Sequence, residues 1–386
     1  MLFRRFGRTG LSMPVFSLGC MRSMHSWQDM PLREVPDAGQ CNLEAMLRRA
    51  LELGITHVET ARAYGSSERQ LGAVLPRLPR ERFFLQTKVM PDDDPTIFRA
   101  RVLDSLQRLN QERLELLTIH GLNDFRALWQ ICRPDGCLAE ARRLQQEGRA
   151  DWIGFSGHGN LAVVLAAIRH RQDGGFDYMN LHWYYVLQAL GPAIEEARAR
   201  DMGVFIISPS DKGGRLHNPP ALLQRLSHPL SPMQFNDLFC LQQPGVSTVS
   251  IGAARPEDFD EHLDGLAYLE ERETVATIDR AWRQAMFEAT GHERPDADFN
   301  LLPDWQETPG YVNLPFILWL SRLARGWHLH DFVRWRAGKL GRDIPWVPGN
   351  PMRPDLEGDI TRCLERRGID HRPLLKELSE AALLFP

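Results

Sequence analysis

Cysteine is scarce and unpaired in this chain of 386 residues: Cys20, Cys41, Cys132, Cys137, Cys240 and Cys363 are scattered, with no CxxC spacing among them. That excludes a zinc ribbon of the usual spacing and argues against a disulfide scaffold. Long apolar runs are also missing. The longest near the C-terminus, residues 312–323, is too short and too interrupted to span a bilayer. The opening MLFRRFGRTGLSMP has no apolar core, so no export signal is expected, and reduced thiols in the cytoplasm are. A net charge of −4 gives no bias toward nucleic acid or an anionic membrane. Finally, the segment after the first strand-like run, SLGCMRSMHS, lacks the GxGxxG of an open doubly wound sheet.

What the sequence has is rhythm. Eight strand-like runs (residues 16–21, 57–61, 83–88, 114–120, 151–157, 178–183, 203–209 and 247–253) alternate with segments of helical period. Several runs are continuously apolar, as strands covered on both faces are. Gly54, Gly148 and Gly203 stand just beyond helix ends, where a left-handed cap is expected. Eight alternations in about 250 residues predict an α/β fold, a closed (β/α)8 TIM barrel. The rhythm stops near Leu266. Residues 1–265 are therefore expected to form the barrel, and 266–386 a smaller, mostly helical C-terminal domain. Its arginines and tryptophans read as an inter-domain interface and a solvated face, since no basic run or nucleic-acid module frames them.

In such barrels reactive groups stand at the C-terminal ends of strands. Glu59 ends the second strand-like run, Tyr64 follows it, Lys88 ends the third and His120 ends the fourth. A lysine closing an apolar run needs a partner. Beside a phenol its charge would lower the tyrosine pKa, a carboxylate would hold the lysine charged, and a histidine could orient a substrate oxygen. Each residue alone also has an ordinary structural explanation. Four at successive strand ends point to a tuned general acid.

These segments resemble the aldo-keto reductases. FGRTGLSMPVFSLGCM is similar to the family's entry hairpin and first strand, ETARAYGSSERQLG to its Asp-Thr-Ala-x-x-Tyr-Gly-x-x-Glu signature, and LELLTIHGL to its fourth-strand histidine segment. The resemblance covers residues 1–265. It implies Tyr64 as proton donor, Lys88 as its tuning group and His120 as the residue that orients substrate, with Glu59 where the family has Asp. It further implies hydride transfer from a reduced nicotinamide to an aldehyde or ketone, without a metal. Ser156 and Asn180 (in place of the family's Gln) would meet the nicotinamide carboxamide. Ser208, Lys212 and Gly213 would meet the pyrophosphate, and Ile207 replaces an aromatic that stacks on the ring. Gly252 and Ala253 would open a helix N-terminus suited to an anion. Arg255 would meet a 2′-phosphate, and Glu261 and His262 the adenine. Arg255 favours NADP(H), with NAD(H) as the alternative; simple helix capping is the other reading of Arg255-Pro256-Glu257.

The tail resembles, more weakly, a ferredoxin-like domain that follows some of these reductases. The ligand positions of its two cysteine runs fall on Asp298, Leu301, Asp304 and Thr308, and on Arg353, Leu356, Asp359 and Cys363. Only one is cysteine, so a degenerate domain without an iron–sulfur cluster is expected. Two readings of function stay open. One is an NADPH-dependent reductase of a small carbonyl substrate, with no nucleic-acid or membrane partner. The other is a nucleotide-binding regulatory or scaffold protein with little turnover, docking a protein partner through its altered tail.

Overall fold

The N-terminal strands β1 (Phe3–Arg5) and β2 (Ser12–Pro14) pair antiparallel around a turn in which Gly7 and Gly10 take positive φ. The computed structural model describes residues 1–382. Eight further strands follow: β3 (Phe16–Gly19), β4 (His57–Glu59), β5 (Phe84–Val89), β6 (Leu114–His120), β7 (Ala150–Ser156), β8 (Tyr178–Leu181), β9 (Gly203–Ile206) and β10 (Thr248–Ile251). They pair in parallel and close in the order β10-β3-β4-β5-β6-β7-β8-β9. This is the expected (β/α)8 barrel, with a helical C-terminal region after it.

The helices between strands form where the sequence supplies both a cap and a stripe. In Pro95–Leu109 the Asp94 side chain accepts from Thr96 N–H, and Phe98, Val102, Leu106 and Leu109 line one buried face at helical spacing. Asn110 then ends the helix in the left-handed region. Asp124 and Asn160 cap Phe125–Cys132 and Leu161–Arg169 in the same way. Gly54 and Gly148 adopt the expected left-handed φ, +79° and +74°. Gly203 does not. It begins β9, and a Cβ there would lie 2.7 Å from the Phe6 ring, so close packing rather than a cap requires glycine. Phe6 and Met13 of the hairpin join Leu116, Tyr178, Phe205 and Ile207 in one buried cluster.

The chain divides into two units. The first holds residues 1–183, 190–209 and 237–269; the second holds 184–189, 210–236 and 270–386. Among its described residues the second unit is built of helices, from Arg272–Thr290 and Leu314–Trp327 to His371–Ala382. Trp282, Trp319 and Trp327 are buried within it, and their indole N–H groups donate to Ser227 Oγ, the Val186 carbonyl and the Trp282 carbonyl. These three tryptophans form that unit's own core. Its Arg322 is buried between Asp298 (2.6 Å) and Glu377 (2.8 Å). Among the described residues no three His, Cys, Asp or Glu side chains stand together as a metal-ligating group, and no helix is long and apolar enough to cross a membrane.

Candidate active site

Register brings the strand-end residues together. Glu59 of β4 pairs with Gln86 of β5, Lys88 with Thr118 of β6, His120 with Ser156 of β7, and Ser156 with Asn180 of β8. The chemistry-bearing side chains thus stand on five adjacent strands at one barrel rim. Lys88 and Glu59 are almost fully buried and form an ion pair, so the longer glutamate still reaches the lysine. Lys88 Nζ also donates to the Thr60 carbonyl at 3.1 Å and lies over the Tyr64 ring, 4.6 Å from its centroid. The His120 ring stands edge-on to Tyr64, centroids 6.4 Å apart.

The turn that presents Tyr64 explains its neighbours in sequence. Gly65 has φ +44°, and a Cβ there would fall 2.0 Å from the Ser26 carbonyl oxygen. Ser67 shares a hydrogen bond with Thr60, and Glu68, fully buried, accepts from Thr87 Oγ1 at 2.7 Å. Burial raises the Glu68 carboxyl above its ordinary range, against that hydrogen bond. The segment Thr60 to Glu68 therefore locks the helix Ser67–Val74 onto the strand ends and fixes where the phenol sits.

The electrostatics correct one expectation. The tyrosine was expected to be lowered by its lysine; instead, burial raises the phenol, with Cys20 adding to the effect. The Lys88 charge is compensated by Glu59, which leaves desolvation as the dominant influence.

Ser156 and Asn180 are buried beside this group. Both Asn180 side-chain atoms, Nδ2 and Oδ1, are buried without a hydrogen-bond partner among the described residues. Such a pair costs about 1–3 kcal/mol per atom unless something meets it. A carboxamide matches its donor and acceptor.

The remaining expected residues separate. Ser208 follows β9 in the left-handed region (φ 56°), a strained place for a serine. Ile207 belongs to the buried cluster with Phe6 and Met13. Lys212 and Gly213 fall in the second unit. Gly252 and Ala253 do not open a helix: β10 ends at Ile251 and the next helix begins at Asp258. The sequence places a loop between them, held by Arg22 on the Gly252 carbonyl and Asn42 on the Ala254 carbonyl. Asp258 accepts from the Ala254 and Arg255 amides at 2.8 and 3.2 Å, supplying a carboxylate where an anion was expected. Arg255 is 74% exposed and touches Asp258. Glu261 is exposed, whereas His262 is buried with Nδ1 on Asp237 at 2.5 Å, which commits that edge of the ring.

Three neighbours of the site carry a weaker sequence signal. Trp27, one of the loop residues with Met24, His25 and Trp183 that could face a substrate, stands edge-on to Tyr64 at 6.2 Å and is 65% exposed. His182 stacks on His158 at 3.9 Å. Strand alternation would have found it, since Asn180 and His182 share a face. Cys20, buried at the end of β3, donates its backbone N–H to the Glu59 carbonyl, and burial pushes its thiol up to about 12 while Lys88 opposes the shift. A lone cysteine after a strand gives no such hint.

Residues 17–206 match the Aldo/keto reductase family. Over those residues, just under half of its length, the chain is similar to that family. It is 28% identical over 192 residues to methylglyoxal reductase YeaE of Escherichia coli (strain K12), which covers 47% of this chain and 63% of that relative's length. Among solved structures it is similar to an aldo-keto reductase described from Pseudomonas aeruginosa, at 25% identity and TM-score 0.53, covering 69% of this chain and 95% of that one. The holo form of an aldo-keto reductase from Bacillus halodurans matches at 19% identity and TM-score 0.59, covering 72% and 96%, which is a likeness of fold.

Proposed function

We propose that this protein reduces an aldehyde or ketone to an alcohol with a reduced nicotinamide nucleotide, NADPH in preference to NADH. When bound, that cofactor supplies the hydride. Tyr64 Oη gives its proton to the carbonyl oxygen as the hydride reaches the carbon, so the alkoxide is neutralised as it forms. His120 orients that oxygen, and the Lys88–Glu59 pair fixes the phenol from beneath its ring. Ser156 and Asn180 hold the carboxamide, Ser208, Lys212 and Gly213 the pyrophosphate, Arg255 the 2′-phosphate and Glu261 the adenine.

The observation that carries this reading is the orphaned Asn180 amide, buried in the same strand-end row as His120 and Ser156. Its test is Asn180→Leu, a near-isostere. Removing an unpaired buried amide leaves the fold as stable or more stable, while NADPH affinity in a fluorescence titration weakens about tenfold or more. Unchanged affinity would remove the residue from the site.

The alternative, a nucleotide-binding regulatory protein with a docking tail, is favoured by one observation. Ile207, in the place of a stacking aromatic, belongs to the barrel's buried cluster. Binding without oxidation of NADPH on any aldehyde would support it. The six free thiols support a reducing compartment such as the cytoplasm.

A further inference from the structure

The loop that carries Trp27 to the phenol has almost no core of its own. From Met21 to Pro36 only Ser23 and Val35 are buried. A segment with so little buried surface is ordered mainly by its polar ties. Two of these precede Trp27: His25 N–H donates to Gln70 Oε1 at 2.9 Å, and Ser26 N–H to Ser66 Oγ at 3.1 Å. The tie that follows Trp27 is ionic. Asp29 accepts from Arg69 Nε at 2.7 Å and Nη2 at 3.3 Å, and stands 2.7 Å from Arg108 Nη2.

These contacts belong to a chain of alternating charges. Arg108 also pairs with Asp104 at 2.7 Å, and Asp104 pairs with Arg62. The chain thus begins at Asp29, two residues after Trp27, and ends at Arg62, two residues before Tyr64. The Trp27 and Tyr64 rings meet edge-on, 6.2 Å apart. Arg69 and Arg108 stand on separate helices, Ser67–Val74 and Pro95–Leu109, so Asp29 is held from two sides. A single exposed ion pair contributes little, whereas a bidentate arginine contact within a network fixes geometry. The Arg108 side chain is only 9% exposed, so its charge is weakly screened. The Arg69 hydrogen bond, opposed by burial and aided by Arg108, holds the Asp29 carboxyl below its ordinary range. Arg69, Arg108, Asp104 and Leu32 of the loop also line a cleft of about 400 Å³, so charge rather than close packing joins the loop to the helices there.

We propose that Asp29 is a positioning residue: through Arg69 and Arg108 it holds Trp27 against Tyr64 and so shapes the side of the site that receives the carbonyl substrate. Its effect on turnover rests on the reductase reading; its hold on the loop does not. Without the carboxylate, Trp27 keeps the two ties that precede it, and its edge-on contact with the phenol loosens.

The experiment uses the full chain as wild type, Asp29→Asn, Asp29→Glu, Trp27→Ala and the double variant Trp27→Ala with Asp29→Asn. Hydrogen exchange is followed by mass spectrometry on the amides of His25, Ser26 and Gln28, each hydrogen-bonded in the folded loop. Oxidation of NADPH is followed with para-nitrobenzaldehyde and with propanal. Asp29→Asn should speed loop exchange about three- to tenfold and raise the aldehyde KM by about as much, with a smaller change in kcat. Asp29→Glu should return both toward wild type. In the Trp27→Ala background the Asp29→Asn effect on KM should vanish, because the two residues act through one contact. Unchanged loop exchange in Asp29→Asn overturns the proposal whatever the turnover. An equal KM effect with and without Trp27 also overturns it, since the ion pairs would then be a general brace. If wild type oxidises NADPH with neither aldehyde, the reductase reading fails, and loop exchange alone decides whether Asp29 holds the loop.

Discussion

At the residue scale, the site depends on one buried charge pair. Lys88 and Glu59 are each almost wholly removed from water, so each is tolerable only because of the other. Glu59→Gln should therefore destabilise the protein by about 3–5 kcal/mol, since it strands an ammonium in the barrel. Replacing both partners, Glu59→Gln with Lys88→Met, should restore much of that stability while leaving turnover low. Urea unfolding midpoints of the single and double variants check this; a single variant as stable as wild type would mean that Lys88 has another counter-charge. Arg255, the proposed partner of a 2′-phosphate, is by contrast exposed. Arg255→Ala should raise the KM for NADPH about tenfold or more and leave that for NADH unchanged, because only the former carries a 2′-phosphate. Equal effects on both would return Arg255 to a capping role. Glu59, Lys88 and His120 stand out in the sequence because each polar residue closes an apolar run, and Tyr64 because it follows one in the next turn. The direction of the Tyr64 shift does not, because the balance between burial and a compensated lysine exists only in three dimensions.

At the scale of elements, the helix Ser67–Val74 and the loop before it work as a clamp. His25 N–H donates to Gln70 Oε1 and Ser26 N–H to Ser66 Oγ, while Ser66 N–H returns to the Ser26 carbonyl. Gly65 lets these backbones close. Gly65→Ala should cost about 1–3 kcal/mol, from a Cβ driven into the Ser26 carbonyl and an unfavourable φ. It should also lower turnover by displacing Trp27 and Tyr64 together. A thermal melt and a kcat measurement on one preparation test both effects; an unchanged melt would show that the loop yields freely. Strand and helix order was legible from periodicity, because parallel strands covered on both faces leave continuous apolar runs. The loop after β10 reads as a helix start in the sequence, because Gly-Ala-Ala followed by Arg-Pro-Glu carries the same local signals as a helix entry. Gly203 was misread for a related reason. Sequence shows a glycine after a helix, whereas its need for glycine comes from Phe6, nearly two hundred residues away.

At the scale of the whole molecule, each unit draws on segments that are separated in sequence. The His262–Asp237 pair is buried within the first unit. Burial lowers the imidazole value, but Asp237, with Glu261 and Asp258, outweighs it and the net shift is upward. A raised folded-state value means that this contribution is complete below the unfolded value of about 6.5 and is lost as pH rises through the folded one. The stability gap between wild type and Asp237→Asn should therefore narrow from pH 6 toward alkaline pH in urea unfolding; a gap that widens would contradict the pair. The division into units was only partly legible. The change of rhythm near Leu266 lies close to Leu269, where the first unit's last segment ends. Residues 184–189 and 210–236 join the second unit, which no change in periodicity signals because they are loops and short helices between strands. The measurement that bears most directly on the account is a single-turnover assay of Tyr64→Phe beside wild type, following NADPH binding and its oxidation by a small panel of aldehydes. The account predicts that wild type binds and oxidises NADPH, and that Tyr64→Phe binds it equally but oxidises it about 10²–10⁴-fold more slowly. Equal turnover by the two proteins would contradict it.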